Sequence, residues 1–262
     1  MRPRPMFLAL LLFAQLTLAL TLGMIDHPTV DLLIMPLSLL LPLLLLLRAP
    51  VGTPPLPFAV RRASFPAIAL LPAFILLTAG LSFATGLVYE WMGLDIPAVT
   101  PQKNLLLALL FDALLPAIAE ELFCRGALFA VLRPLGRRAA VFGSAFFFAV
   151  MHANLAQLPY AFVAGLLLAL LLELTGSLLY PMLFHFANNT ASLLLFFGAP
   201  PLAVFLPLGG AALLGLLFLF LYAKRHPPML PAKDGDLKAL FPEIGSLPVL
   251  SYLAVILTFM IL

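Results

Sequence analysis

Runs of about twenty residues with almost no charge recur from one end of the sequence to the other. A helix crossing the roughly 30 Å hydrocarbon core of a bilayer needs about 20 mostly apolar residues. A backbone in lipid must also satisfy its own hydrogen bonds, which leaves helices as the natural form for such runs. Composition agrees, with 64% hydrophobic residues, 10% charged residues and a mean hydropathy of +1.16. Candidate spans cover about 6–25, 30–47, 66–92, 104–132, 139–153, 158–174, 177–199 and 202–223, with a weaker ninth at 247–262. The expected fold is all-α: a polytopic transmembrane helical bundle of about eight spans, forming a single integral membrane domain over residues 1–262.

Charge placement orders these spans. With the N-terminus in the cytoplasm and alternate crossings, Arg2, Arg4, Arg48, Arg61, Arg62, Arg133, Arg137, Arg138, Lys224, Arg225, Lys233 and Lys238 all fall inside. That is 12 of the 14 basic residues; Lys103 falls outside and Arg125 within a span. The bias follows the positive-inside rule. It accounts for a pI near 9.2 without a nucleic-acid partner. Residues 1–23 have a basic start and an apolar stretch, but lack a small-x-small cleavage site, so a membrane anchor is expected rather than a cleaved signal. The lone Cys124 excludes an internal disulfide framework. Gly235-Asp236, in the polar loop after Lys224, reads as a turn.

Most spans carry no ionisable residue, and the exceptions cluster. The fourth holds Asp112, Glu120, Glu121 and Arg125; the fifth ends in His152; the seventh holds His185, Asn188 and Asn189. Facing lipid, Glu120, Glu121 and Arg125 together would cost on the order of 8–10 kcal/mol. They must therefore face protein or water. Glu121 and Arg125 are four apart and can pair, which leaves Glu120 about 100° around the helix without a neighbour on its own span. At 1.5 Å per residue from the basic anchors, Glu120 lies about 20 Å deep, His152 about 21 Å, and His185 and Asn189 about 14 and 20 Å. Three helices thus deliver acid, imidazole and amide to similar levels. His185 and Asn189 share a face, as do Phe148 and His152, so the Phe148 ring can fix the imidazole. Pro116 removes a backbone hydrogen bond one turn before the carboxylates.

Glu120-Glu121-x-x-x-Arg125, then Phe148-x-x-x-His152, then His185-x-x-x-Asn189 resembles the three-motif signature of the CAAX protease and bacteriocin-processing (CPBP) family. That family includes the type II CAAX prenyl endopeptidases. The resemblance covers about residues 104–195, the expected catalytic core. It implies an intramembrane endopeptidase. In it, Glu120 and His152 activate water, His185 and Asn189 stabilise the oxyanion, and Glu121, Arg125 and Phe148 support the site. No cofactor is favoured. The metal-dependent alternative is a zinc ion held by Glu120, His152 and His185, which would lower the pKa of bound water to about 7.

Other readings stand beside this one. The cluster can be a structural polar network. The chain can be a non-catalytic membrane immunity factor or scaffold, or a proton-coupled transporter relaying through Glu120 and His152, although no internal repeat supports transport. Asp112 reads as lining a polar pocket, Glu173 as a solvated helix end, and Tyr160 and Tyr180 as interface anchors. His27 and His226 flank charged loops and need no role. The expected partners are the bilayer and a membrane-associated peptide or protein substrate. The Leu-, Ala- and Pro-rich, Lys-poor composition suggests a prokaryotic plasma membrane.

Overall fold

The computed structural model describes residues 62–94, 101–225 and 246–261, together with 12, 14–21, 33–34, 36–40 and 242. Among the described residues every regular element is helical. Helix α1 spans Leu71–Trp91 and follows a 3-10 stretch, Arg62–Leu70. Helix α2 covers residues 105–132. Then come α3 (Arg137–Met151), α4 (Leu158–Thr175), α5 (Leu179–Phe196), α6 (Pro201–Arg225) and α7 (Leu247–Ile261).

Helix α2 is not uniform. Asn104 caps its start, accepting from the backbone N–H groups of Leu106 and Leu107 at 2.9 and 3.2 Å. Two π-helical stretches, Leu109–Leu114 and Leu122–Leu128, then bracket the α-helical Leu115–Glu121. Pro116 lies at the start of that α-helical piece and cannot donate to the turn before it. The wider π turn sits just where that donor is missing. Such turns re-aim the side chains that follow them and are common at functional sites. Both carboxylates and Arg125 emerge from this remodelled stretch.

The turns follow residue chemistry. Gly176 closes α4 with φ +64°, a left-handed cap that glycine adopts without penalty. Glu173, near the same end, accepts from Arg133 Nε at 3.2 Å and Arg137 Nε at 3.1 Å. The expected solvated helix end is thus an ion-paired junction tying α4 to the turn between α2 and α3. Tyr180 also departs from expectation. Its ring is buried with Phe74, Leu168 and Phe184 rather than anchored at an interface.

The main core gathers Phe123, Leu128 and Leu132 of α2, Phe147 of α3, Leu172 of α4 and Tyr252 of α7. Helix α6 instead turns Leu206, Leu213 and Leu214 outward, which suits a lipid-facing surface. Pro66–Trp91, Leu158–Thr175 and Pro201–Leu221 are long and apolar enough to cross a membrane. The sequence count of eight is therefore matched in part. Helix α3 has 15 residues, short of the roughly 20 a span needs. Helices α2 and α5 carry the polar residues of the site, which lower their apolarity. Val249–Thr258 is a shorter apolar helix. The expected spans at 6–25 and 30–47 lie largely outside the described residues, as does the loop holding Gly235-Asp236.

Candidate active site

Glu120 and Glu121 end the α-helical piece of α2 and are both buried. Glu121 Oε1 accepts from Arg125 NH1 at 2.9 Å, the expected four-residue pair, with both side chains fully enclosed. The same oxygen lies 2.9 Å from His185 Nδ1 on α5. Glu121 therefore does more than neutralise Arg125: it holds an imidazole carried by another helix.

Arg125 is fixed on three sides. Besides Glu121, its NH2 donates to the Gly165 carbonyl of α4 at 3.0 Å, and its guanidinium lies 4.3 Å from the centre of the Phe148 ring. Phe148 in turn meets both imidazoles edge-on, with ring centres 4.9 Å from His152 and 5.6 Å from His185. One aromatic ring thus packs against the guanidinium and both histidines. The sequence spacing anticipates the contact with His152; the contacts with Arg125 and His185 come from helices brought together by the fold.

His152 caps the C-terminus of α3, and its Nδ1 lies 2.7 Å from the Phe148 carbonyl. A carbonyl only accepts, so Nδ1 carries the proton and Nε2 presents a lone pair in the neutral ring. A carboxylate likewise only accepts, so His185 Nδ1 donates to Glu121, and its Nε2 accepts in the neutral ring or donates when protonated. Both Nε2 atoms face Glu120 Oε2, at 4.0 Å for His152 and 3.7 Å for His185. Glu120 Oε2 is buried and has no hydrogen-bond partner. Glu120 Oε2 and the two Nε2 atoms converge with no direct hydrogen bond among them. The separations exceed a direct hydrogen bond and are of the size one bridging water spans.

The same donor set is the natural metal candidate. Zinc ligands at about 2.0–2.2 Å lie roughly 3.3–3.5 Å from one another. The Glu120–histidine separations are wider, and Glu121 is already committed to Arg125 and His185. Among the described residues no group of three or more His, Cys, Asp or Glu is arranged to hold a metal ion. As arranged, the Glu120–histidine separations are closer to those a bridging water spans than to a tetrahedral zinc set.

The structure thus brings Glu120, Glu121, Arg125, Phe148, His152 and His185 into one network. Asn189 lies one turn beyond His185 on α5 and is half-buried; among the described residues it makes no hydrogen bond within that network. Asp112 lies apart, its carboxylate accepting from the Gln102 backbone N–H at 2.7 Å. Cys124 is buried in the main core as a small hydrophobe. Gly165 carries no signal in the sequence, because its contribution is a carbonyl and the absence of a side chain.

Residues 102–191 match the family model described as type II CAAX prenyl endopeptidase Rce1-like. No curated protein and no solved structure matches the chain. The matched segment contains all three motifs and every member of the network, and over residues 102–191 the chain is similar to the CAAX protease (CPBP) family.

Proposed function

We propose that the protein is an intramembrane endopeptidase that hydrolyses a peptide bond of a membrane-associated peptide or protein with a water activated by Glu120 and His152. The observation that carries this reading is the buried, unpartnered Glu120 Oε2 facing the Nε2 atoms of two histidines. A water placed there donates one O–H to Glu120 and the other to His152, and its oxygen lone pair is left for the scissile carbonyl. Glu120 takes the proton as the C–O bond forms and returns it to the leaving amine.

The oxyanion requires donors. In this reading His185 supplies one from Nε2, in the ring form that carries a proton there. Glu121 orients that ring through Nδ1, and Asn189 supplies a second donor from the same helix face. Arg125 and Phe148 hold Glu121 and the two rings in place. Substrate and water meet within a multi-pass helical bundle whose alternating crossings put the basic loops in the cytoplasm. No step is routed through a metal.

The test is cleavage of fluorogenic peptides, with and without a prenylated C-terminal cysteine, by the purified full chain. Glu120→Gln keeps the shape and removes the base. It is expected to lower kcat by about 10³-fold or more while the protein stays folded. Cleavage at the wild-type rate by Glu120→Gln would sink the reading.

A further inference from the structure

Helix α1 lies outside the segment that matches the protease family, yet it touches both histidine-bearing elements. Its Thr78 is buried, and the Thr78 hydroxyl donates to the Asn188 side-chain oxygen on α5 at 2.5 Å. One turn earlier on both helices, Phe74 meets Phe184 with ring centres 5.6 Å apart. Each helix advances four residues between these contacts, so α1 and α5 run parallel with their side chains in step. Asn188 lies between His185 and Asn189 in the sequence of α5. At the far end of α1, the Tyr89 hydroxyl donates to the Leu155 carbonyl at 2.9 Å.

Leu155 belongs to the short turn that carries His152. Within it, Ala153 adopts φ +47°, and Asn154 accepts from the Ala156 and Gln157 backbone N–H groups at 2.9 and 3.3 Å. That turn is locally ordered, but its own bonds do not fix where it stands relative to α5. Thr78 and Tyr89 are 11 residues apart. At about 100° and 1.5 Å per residue they share one face of α1, about 16 Å apart along the axis. One rigid helix thus contacts the His185 helix with one hydroxyl and the His152 turn with the other.

We propose that α1 is a splint for the site. The Thr78 and Tyr89 hydroxyls are positioning groups that hold the His185–Asn189 helix and the His152 turn at a set spacing around Glu120. Neither hydroxyl touches a reacting atom. Their effect passes through Asn188 and Leu155. A shift of 1 Å at a catalytic group can cost up to about 10²-fold in rate, so hydroxyls this remote can still be felt. The inference rests on the reading of Glu120, His152 and His185 as the reacting groups, so its test includes a readout that needs no turnover.

The variants are Thr78→Val, Thr78→Ser, Tyr89→Phe and the Thr78→Val/Tyr89→Phe pair, made in the full chain. Each is measured for kcat and KM on the cleaved peptide. Each is also measured for the rate of diethylpyrocarbonate modification at His152 and His185, resolved by peptide mass spectrometry. Thr78→Val and Tyr89→Phe are expected to lower kcat about 5- to 20-fold with KM within about twofold, whereas Thr78→Ser, which keeps the hydroxyl, stays within about twofold of wild type. Modification is expected to accelerate about threefold or more at His185 in Thr78→Val and at His152 in Tyr89→Phe. Wild-type kcat and wild-type histidine reactivity in the folded double variant would overturn the splint. Where the wild type cleaves none of the peptides, the protease reading fails, and the two reactivity measurements alone still decide the splint.

Discussion

The Nδ1 of His185 and Oε1 of Glu121 lie 2.9 Å apart, and that oxygen also receives Arg125 NH1 at 2.9 Å. One carboxylate oxygen therefore joins a guanidinium on its own helix to an imidazole on another. Both partners of the Glu121–Arg125 pair are fully enclosed. Removing one member of a buried ion pair leaves the other charge without compensation.

Glu121→Ala is accordingly expected to lower stability by about 3–5 kcal/mol. Glu121→Gln keeps the volume but not the charge, and is expected to lower kcat by about 10²-fold, because His185 loses the carboxylate that fixes its ring through Nδ1. Arg125→Lys is also expected to fail, since an ammonium cannot reach Glu121, the Gly165 carbonyl and the Phe148 face together. Denaturation midpoints in detergent and kcat on the cleaved peptide check these outcomes. A Glu121→Gln enzyme with wild-type kcat would show that the carboxylate is needed only for packing.

At Gly165 the backbone of α4 approaches Ala145 of α3 closely beside the site. A Cβ there would stand 3.0 Å from Ala145 Cα and 3.2 Å from its Cβ and carbonyl oxygen. Two of those three atoms are backbone, so the neighbour cannot simply rotate away. Gly165→Ala is expected to push the helices apart, draw the Gly165 carbonyl off Arg125, and cost about 1–3 kcal/mol. Activity should fall with it, and Gly165→Ser should be no better. Thermal unfolding and kcat measured on the same samples test the link; a stable, fully active Gly165→Ala variant would refute it.

Ala153 takes a backbone conformation that residues bearing a Cβ rarely adopt, φ +47°, directly after His152. Glycine would hold the same turn without the steric penalty. Ala153→Gly is therefore expected to be neutral or stabilising by up to about 1 kcal/mol, with activity retained. Ala153→Val, β-branched at the same φ, is expected to destabilise and to cost activity by displacing His152. Unfolding midpoints and kcat should both fall for Ala153→Val, whereas for Ala153→Gly the midpoint should hold or rise and kcat should hold.

Apolar runs announce helices because lipid leaves the backbone no other economical partner, and Glu120, His152 and His185 are conspicuous because charge and imidazole are costly at that depth. Those features are readable residue by residue. The Glu121–Arg125 pair is readable too, since four-residue spacing puts both on one helix face. What spacing cannot convey is contact between helices. The grip of Glu121 on His185, the Phe148 ring against both histidines and the guanidinium, the Gly165 carbonyl and the Thr78 and Tyr89 hydroxyls all depend on interhelical register. The two π-helical stretches of α2 escape for a related reason. Pro116 signals a missing hydrogen bond, but not how the backbone absorbs it. The eight-span count also reads apolarity as crossing, whereas α3 is short and α2 and α5 spend part of their length on the site.

Metal removal provides a final test, and the geometry sets its sign. A zinc ion needs its ligands about 2.0–2.2 Å away. Glu120 Oε2 stands 3.7 and 4.0 Å from the two Nε2 atoms, wider than a tetrahedral set, and Glu121 is held by Arg125 and His185. A bridging water fits the separations as they are; zinc would require the side chains to close in. Prolonged dialysis against a zinc chelator is therefore expected to leave kcat within about twofold of its starting value, with less than about one-tenth of an equivalent of zinc in the protein by elemental analysis. Thermal stability should be unchanged as well, because a resident metal would add its binding free energy to folding. Activity that disappears on chelation and returns only with added zinc would overturn the water-based scheme and assign Glu120, His152 and His185 as ligands.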